Sequence, residues 1–270
     1  MNDAFVIKMV VLDLDGTLLD ENKEIPPQTV KTINRVREKG IAVTLASSRP
    51  LCSVLPYARE LNIDLPLIAH SGAIITGAGS AFRLRQPLNP QSARAALEVL
   101  ESHGYYIKAY CDDILYVQEA IEETVRYSQL YGVEYRETGK NNLSKLPENP
   151  VRLMMFDKDV RRIEQIPELL GDLQGDFSFA NDTAYGLEMV DRSVNKGNAV
   201  KWLCDELGLA MREVMAIGNE GNDIEMIKMA GLGIAMGNAC VKLKELAADI
   251  TRPNTDSGVE YALKKYILEG

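Results

Sequence analysis

The first third of the chain alternates apolar runs with amphipathic stretches. The near-continuous apolar run IKMVVLDLD predicts a strand buried on both faces. A helix follows in PPQTVKTINRVREKG, which has prolines at its start and Gly40 at its end. IAVTLASS predicts a second strand, LCSVLPYARELN a helix that bends or starts at Pro56, and LPLIAHSGAII a third strand that runs into a turn. This alternation indicates a Rossmann-like, doubly wound parallel sheet.

The same alternation returns near the C-terminus, after a segment of different texture. Its predicted helices are KGNAVKWLCDELGL, NDIEMIKMAG, NACVKLKELAA and GVEYALKKYILEG, and its predicted strands are EVMAIGNE and LGIAM. The segment between has the helix-like stretches PQSARAALEVLESHG, AIEETVRYSQLYG and VRRIEQIPELLGDL, the polar loop GKNNLSKLPENP, and the strand-like stretches YYIKAYCDD, ILYVQE, VRLMMFDKD, DFSFAND and AYGLEMV. Helices followed by strand pairs indicate an α+β module with an antiparallel sheet. We therefore predict the α/β class, with a core formed by residues 1–84 and 187–270 and an inserted α+β domain at 85–186.

Composition excludes several classes of function. The 270 residues carry a formal net charge of −9 and form no basic cluster, which argues against nucleic acid as a partner but leaves room for a small phosphate in a local pocket. No stretch approaches the roughly eighteen apolar residues of a membrane span, and MNDAFVIKMVVLDLDG lacks the features of a signal peptide. Cys52, Cys111, Cys204 and Cys240 lie far apart, as in a protein of the reducing cytoplasm. The oligomeric state cannot be read from the sequence.

Two aspartates end the first predicted strand. Asp13 and Asp15 are two residues apart in VVLDLDGTLLD, and in a strand such residues point to the same face. Repulsion between them raises a pKa or favours a shared cation. The alternative is a plain acidic turn closed by Gly16 and Thr17. With two histidines in the chain, a metal here would be a hard cation bound by oxygen.

Polar residues follow other predicted strands at the same edge. Ser47, Ser48 and Arg49 end the second strand, GNEGND ends a C-terminal strand, and Lys196 begins a helix. Ligands collect beyond the carboxyl ends of parallel strands, and helix N-termini favour anions. Each feature also has a structural interpretation: the serines can cap the next helix, Lys196 can be a surface lysine, and GNEGND can be a glycine-rich loop. GLGIAMG is not interpreted as a dinucleotide motif, because it enters a strand.

Together these motifs resemble those of the haloacid dehalogenase superfamily. DLDGT, a hydroxyl residue after the second strand, a lysine and GNEGND occur in the order of that superfamily's phosphatase motifs. HSGA, RSVNKGNAV and AGLGIAMGNA are similar to segments of its Cof-type subfamily, which has a type IIB cap domain inserted in the core. The resemblance extends from Lys8 to the C-terminus.

The resemblance implies a Mg²⁺-dependent phosphatase that acts on small phosphate monoesters through an aspartyl-phosphate. Asp13 is then the nucleophile and Asp15 the general acid and base, whose proton the like charge of Asp13 helps to retain. The third catalytic residue is Lys196. The expected phosphate-binding residues are Leu14, Ser47, Ser48, Arg49, Lys196 and Asn222. The expected metal-binding residues are Asp13, Asp15, Asn219 and Asp223.

One departure from the family pattern leaves the function open. Asn219 replaces the aspartate that normally binds the metal, so a weakly active or inactive protein that binds a phosphorylated metabolite is an alternative. A phosphomutase is a third option. Ser47-Ser48-Arg49 for Thr-Gly-Arg and Ser71-Gly72-Ala73 for Asn-Gly-Ala are smaller departures. The cap is expected to select the substrate through residues around Tyr110 to Asp113 and Tyr185, although a tyrosine at a strand end more often serves packing.

Overall fold

The computed structural model describes residues 6–77, 83–183 and 185–269, with side chains except at 181–183. The chain forms two compact units. The first consists of Met1–Arg49, Val54–Arg83 and Asn195–Gly270, and the second of Pro50–Ser53 and Leu84–Val194. The predicted insert had bounds 85–186; the second unit ends eight residues later and includes four residues near position 50.

The first unit, here called the core, contains the elements predicted from the two alternating segments. Its N-terminal part holds β1 (Met9–Leu12), α1 (Pro27–Glu38), β2 (Ala42–Leu45), α2 (Leu51–Glu60, whose first residues belong to the other unit), β3 (Leu67–Ala69) and β4 (Ile74–Thr76). All four residues of β1 are fully buried, as the continuous apolar run predicts. Helix α1 begins with proline, which lacks the N–H that a first turn leaves unpaired, and buries Thr29, Thr32, Ile33 and Val36 on one face.

The second unit, here called the cap, contains the inserted elements. They are β5 (Leu84–Arg85), α3 (Pro90–Ser102), β6 (Tyr106–Cys111), β7 (Ile114–Val117), α4 (Glu122–Tyr131), β8 (Glu134–Glu137), β9 (Arg152–Phe156), α5 (Val160–Glu164), α6 (Ile166–Leu169), β10 (Phe177–Thr183) and β11 (Gly186–Asp191). A six-stranded sheet has the order β10-β11-β9-β6-β7-β8. One face of it packs with α3, α5 and α6 in an apolar cluster that includes Leu97, Ile107, Leu153, Ile163 and Met189.

The C-terminal segment returns to the core and completes its sheet. It holds α7 (Lys196–Leu207), β12 (Val214–Gly218), α8 (Ile224–Met229), β13 (Leu232–Ala235), α9 (Val241–Leu246), β14 (Asp249–Ile250) and α10 (Gly258–Leu263). The sheet order is β14-β13-β12-β1-β2, with every pair parallel. The strand β12 from the end of the chain therefore lies directly beside β1 from its beginning, and the predicted α/β fold class is confirmed.

Several details differ from the sequence prediction. The prediction that the third strand is a full member of the parallel sheet is wrong. Strand β3 pairs antiparallel with β4, and it joins the end of β2 only through a single parallel bridge between Ala46 and Ile68. The cap sheet is not purely antiparallel, because β8 pairs parallel with β7. The helix predicted from VRRIEQIPELLGDL is divided into α5 and α6, with Pro167 in the first turn of α6. Ala184 and Gly270, which the predicted strand and helix included, lie outside the described residues.

The cap candidates for substrate selection occupy different environments. Tyr110 is buried, its ring lies 6.4 Å from that of Tyr127 in an edge-to-face arrangement, and the guanidinium of Arg152 lies 4.1 Å from its centroid. Tyr185 is 55% exposed. A role of either residue in selecting the substrate stays a prediction; the contacts of Tyr110 are those of a packing residue.

Candidate active site

Three neighbouring strands bring the predicted site residues to one edge of the core sheet. Asp13 directly follows β1, Ser47 follows β2, and Asn219 directly follows β12. Leu12 pairs with Ile217 on one side and with Leu45 on the other, so the three strands end at nearly the same height. The carboxyl edge of the sheet therefore gathers the polar segments, as the strand pattern predicts.

The turn after β1 depends on a glycine. Gly16 has φ +74°, a left-handed conformation that glycine adopts without strain. A Cβ atom at this position would also collide with the carboxamide of Asn219. The backbone of the DLDGT segment can therefore approach the end of β12 because residue 16 has no side chain.

Lys196 lies buried between two carboxylates. It is the first residue of α7, whose N-cap Asn195 accepts a hydrogen bond from the N–H of Asn198. Its Nζ donates to Asp13 Oδ1 at 2.7 Å and to Asp223 Oδ1 at 2.6 Å, and the side chain is 1% exposed. Burial disfavours the ammonium form, but the charges of Asp13 and Asp223 outweigh this effect and raise the pKa of Lys196. The surface-lysine interpretation is thus wrong, and Lys196 carries its charge beside the predicted nucleophile.

Asp223 fixes the position of Lys196. The second oxygen of Asp223, Oδ2, accepts hydrogen bonds from the backbone N–H groups of Asn219 and Glu220 at 2.8 and 3.0 Å. Both of its oxygens are thereby used, and the side chain is fully buried. In this geometry Asp223 orients Lys196; its expected role as a metal ligand stays a prediction.

Asp13 is a carboxylate in a dry environment. Burial raises its pKa, the charge of Asp223 raises it further, and Lys196 opposes both effects, which leaves the pKa of Asp13 at about 7. A cation beside its second oxygen would favour the ionised form that a nucleophile requires.

The second aspartate of the motif has a different environment. Arg49 holds the Asp15 carboxylate with two hydrogen bonds of 2.7 Å, and Lys23 Nζ donates to it at 2.8 Å. Partial burial raises the pKa of Asp15, but the bonds and charges of Arg49 and Lys23 outweigh this effect and lower it. The expectation that repulsion from Asp13 keeps a proton on Asp15 is therefore wrong. The chain turns after Leu12, and the Asp15 side chain pairs with cations instead.

Three oxygen-bearing groups converge around the end of the Asn219 side chain. The terminal carboxamide atom directed into the site lies 3.1 Å from Asp13 Oδ2, 2.9 Å from the Asp15 carbonyl oxygen and 3.1 Å from Thr17 Oγ1. Adjacent ligands of an octahedral Mg²⁺ with bonds of about 2.1 Å lie about 3 Å apart. In the orientation that satisfies its neighbours, Asn219 directs its NH₂ group to these oxygens. A half-turn of the carboxamide would place its oxygen there, beside Asp13 Oδ2 and the Asp15 carbonyl at distances typical of neighbouring Mg²⁺ ligands, so these residues fit a Mg²⁺ site.

The described parts of the chain contain no cluster of the side chains that most often bind metals. Within residues 6–77, 83–183 and 185–269, no group of three or more histidine, cysteine, aspartate or glutamate side chains is arranged to hold an ion. The group formed by Asp13, Asp15 and Asn219 is not a cluster of this kind, because it offers one carboxylate, one backbone carbonyl and one carboxamide. Asp15 enters it through its main chain.

The remaining predicted residues have less defined roles. Ser47 is buried, and its Oγ accepts a hydrogen bond from the N–H of Arg49 at 3.1 Å, so it organises the loop after β2. The guanidinium of Arg49 is hydrogen-bonded to the carboxylate of Asp15. Ser48 and Asn222 are partly exposed, while Leu14 is fully buried. Phosphate binding by all five residues stays a prediction.

Three further residues of the site were missed in the sequence. Thr17 lies in the DLDGT motif, where the sequence predicts only a turn residue. Lys23 comes from a loop with a left-handed backbone (φ 62°), and Tyr57 from α2 donates to the carbonyl of Lys23 and lies 3.3 Å from Arg49 Nη1. Neither Lys23 nor Tyr57 belongs to a motif, so the sequence carried no signal for them.

Comparison with known proteins identifies the family. The family model of haloacid dehalogenase-like hydrolases matches residues 10–263. The chain belongs to this family. The superfamily predicted from the four motifs is thereby confirmed, and the protein is an enzyme, a hydrolase of the phosphatase type that those motifs imply.

Similar proteins match over nearly the whole chain. Stress response protein YhaX of Bacillus subtilis is 30% identical, with 96% of this chain and 93% of the relative covered. The 5-amino-6-(5-phospho-D-ribitylamino)uracil phosphatase YwtE of the same organism is 27% identical, with 97% and 98% covered. The crystal structure of a haloacid dehalogenase-like hydrolase from Bacteroides thetaiotaomicron is 29% identical and superimposes with a TM-score of 0.84 over 96% of this chain and 99% of the other.

Proposed function

We propose that this hydrolase is a Mg²⁺-dependent phosphatase that cleaves small phosphate monoesters through an aspartyl-phosphate. The observation that carries the proposal is the position of Asp13, with one oxygen on Lys196 and the other 3.1 Å from the end of the Asn219 carboxamide, which also meets the Asp15 carbonyl. Burial of a carboxylate and a cation carries a desolvation cost, so such a pair is weak evidence for a role in stability and is compatible with a role in function. We therefore assign the chemistry to this aspartate.

Each residue of the site has a defined task in this proposal. Asp13 attacks phosphorus in line with the leaving alcohol and forms the acyl phosphate. Lys196, fixed by Asp223, stabilises the negative charge of the transferring phosphoryl oxygens. Asp13, the Asp15 carbonyl and Asn219 would hold Mg²⁺, and the bound ion would supply positive charge that offsets repulsion between the nucleophile and the substrate.

Asp15 is assigned the proton transfers. It gives a proton to the leaving alcohol and later takes one from the water that cleaves the acyl phosphate. Its present contacts with Arg49 and Lys23 stabilise the carboxylate, which is the form that acts as the base. For the acid step Asp15 must first leave these contacts and take up a proton from solvent, because the carboxylate held by Arg49 has no proton to give to the leaving oxygen. Arg49 is thus the residue that holds the general acid and base between turnovers.

The proposed substrates are sugar phosphates or phosphorylated cofactors and their precursors. The relative YwtE of Bacillus subtilis is named as a phosphatase of 5-amino-6-(5-phospho-D-ribitylamino)uracil, which supports the inclusion of phosphorylated polyols in this class. We further propose that the enzyme acts in the cytoplasm, which the four free cysteines support. No described helix is long or apolar enough to cross a membrane.

A binding protein without turnover is the second candidate. It is favoured by Asn219, which gives the metal a dipole where the family pattern provides a charge. The deciding experiment measures hydrolysis of p-nitrophenyl phosphate with Mg²⁺ and after chelation, together with acid quenching to trap the acyl phosphate on the protein. Turnover that requires Mg²⁺ and a trapped phosphate that Asp13→Asn lacks would support the phosphatase. Binding of phosphate esters without release of phosphate would favour the second candidate.

The substrate is then found with a panel. It contains hexose phosphates, pentose phosphates and 5-amino-6-(5-phospho-D-ribitylamino)uracil, each compared by kcat/KM. Product analysis with the hexose phosphates separates hydrolysis, which releases free phosphate, from a phosphomutase reaction, which yields an isomer.

A further inference from the structure

A cavity of about 230 Å³ lies within the cap, between helix α3 and the segment 143–150. Gln91, Arg94 and Leu97 line it from α3, where they share one face of the helix. Gln91 and Arg94 are exposed and Leu97 is buried, so the cavity has an open rim and a closed floor. None of the residues assigned to phosphate hydrolysis lines it.

The wall opposite α3 is fixed at both of its ends. The buried carboxylate of Glu101 accepts hydrogen bonds from the backbone N–H groups of Leu143 and Ser144, at 3.1 and 3.4 Å. At the other end, the carbonyl of Pro150 accepts a hydrogen bond from the N–H of Leu88 at 2.8 Å. The cavity is therefore held open by the fold, and a ligand can enter with little reorganisation of the protein.

Three polar side chains of the cavity have no partner in the described protein. They belong to Ser144, Arg94 and Glu148, and within residues 6–77, 83–183 and 185–269 none of them makes a hydrogen bond or an ion pair. Ser144 is only 8% exposed, and a hydroxyl at such a buried position normally has a hydrogen-bond partner. The cavity is the space from which a partner can reach it.

The two charged residues point to the kind of ligand. Arg94 comes from α3 and Glu148 from the opposite wall, and they do not pair with each other across the cavity. A molecule between them can satisfy both only if it carries a negative and a positive group, since Arg donates and an ionised Glu accepts hydrogen bonds. The charges thus favour a zwitterion.

The floor of the cavity adds an apolar requirement. Leu97 and Leu143 are buried, and Leu146 is partly buried beside them. Apolar walls with a few polar groups are typical of small-molecule sites, and pockets for drug-sized ligands measure roughly 300–1,000 Å³. This cavity is smaller, so it suits a smaller molecule with an apolar part.

We propose that the cavity binds a free α-amino acid with an apolar side chain of about the size of leucine. The carboxylate of the ligand pairs with Arg94 and accepts the hydrogen bond of Ser144, its ammonium group pairs with Glu148, and its side chain lies on the leucines of the floor. This amino-acid site is a second site in the protein, and it exists whether or not the protein is a phosphatase.

The test is calorimetric titration of the full chain with L-leucine and three analogues. N-acetyl-L-leucine lacks the ammonium group, L-leucinamide lacks the carboxylate, and glycine lacks the apolar side chain. Arg94→Gln, Glu148→Gln and Ser144→Ala each remove one polar contact from the site. The matched controls are Arg126→Gln, on α4, and Glu98→Gln, on α3, which are exposed and do not line the cavity.

We expect L-leucine to bind with a Kd on the order of 0.1–1 mM. Loss of either charge, from the ligand or from the protein, should weaken binding at least about tenfold, because a charge-assisted hydrogen bond is lost. Ser144→Ala should weaken it about twofold to tenfold, and glycine should bind more weakly than L-leucine because it buries no side chain. The two control variants and Asp13→Asn should bind L-leucine as wild type does, which separates this site from the proposed nucleophile.

Three outcomes would overturn the inference. One is the absence of any heat of binding at about 10 mM L-leucine. Another is unchanged affinity in both Arg94→Gln and Glu148→Gln, with circular dichroism confirming that they are folded, because the ligand would then lie elsewhere. The third is equal affinity for L-leucine and N-acetyl-L-leucine, which would show that the cavity accepts an anion and does not select a zwitterion.

Discussion

Asp13 and Asp15 are two residues apart, yet their surroundings shift their pKa values in opposite directions. Asp13 is buried beside another carboxylate, which raises its pKa to about 7, whereas Asp15 lies 39% exposed between Arg49 and Lys23, which lower its pKa. Their mutual repulsion contributes little to this difference, because burial and the charges from distant segments dominate. In the proposed mechanism, the groups that surround each carboxylate, and not their closeness in sequence, would therefore divide the tasks of the pair.

The largest expected effect comes from removal of the buried member of the pair. Asp13→Asn should reduce hydrolysis to background, because a neutral amide cannot form the acyl phosphate. Phosphate release and acid-quenched labelling measure the loss, and circular dichroism confirms that the variant is folded. Turnover near the wild-type rate would show that Asp13 is not the nucleophile. The different environments of the two aspartates would then not correspond to different catalytic roles.

Asp15→Asn tests the second aspartate, and the size of its effect should depend on the leaving group of the substrate. General acid assistance is worth about 10²- to 10⁴-fold, and most of it is needed when the leaving alcohol is a poor one. We expect alkyl phosphates to lose most of their turnover, and p-nitrophenyl phosphate much less. Equal losses for the two substrates would assign Asp15 a role other than proton transfer.

Lys196→Ala removes the cation that the two buried carboxylates share. The rate constant kcat should fall at least about 10²-fold, because the charge of Lys196 acts as the phosphoryl group transfers. The fold should also lose roughly 3–5 kcal/mol, the cost of leaving a buried ion pair without one partner. Lys201→Ala, an exposed lysine on the same helix, is the matched control. A change in KM with kcat preserved would make Lys196 a ground-state anchor for the phosphate.

The sequence predicts the edge of the sheet better than the contacts made there. Asp13 and Asn219 converge as predicted because parallel strands place their carboxyl ends together whatever the loops do, and Lys196 joins them from the start of α7. The partners of Asp15 could not be predicted, since Lys23 reaches it through a loop conformation that no periodicity encodes. Strand β8, with the sequence EYRE, was missed because its residues are mostly exposed and charged, so no apolar alternation marks it. The chain turns from β3 back into β4 through left-handed residues at His70 and Ser71, and the apolar sequence on either side of them does not predict this turn.

Arg49→Met is expected to give the smallest effect, and it tests the cause of the contrast. Arg49 lowers the folded-state pKa of Asp15, so the pair stabilises the protein above the unfolded-state pKa of the carboxyl group, near 3.8, and this stabilisation is lost as the pH falls through the lower folded-state value. The difference in unfolding temperature between wild type and Arg49→Met should therefore be present at pH 7 and shrink towards pH 3. Arg35→Met, an exposed arginine on α1, controls for the loss of one positive charge. Because Asp15 is partly exposed, the difference should be modest, and kcat should fall only several-fold as the carboxyl group loses its orientation. A difference in stability that does not vary with pH would show that Arg49 acts by packing, and that the low pKa of Asp15 has another cause.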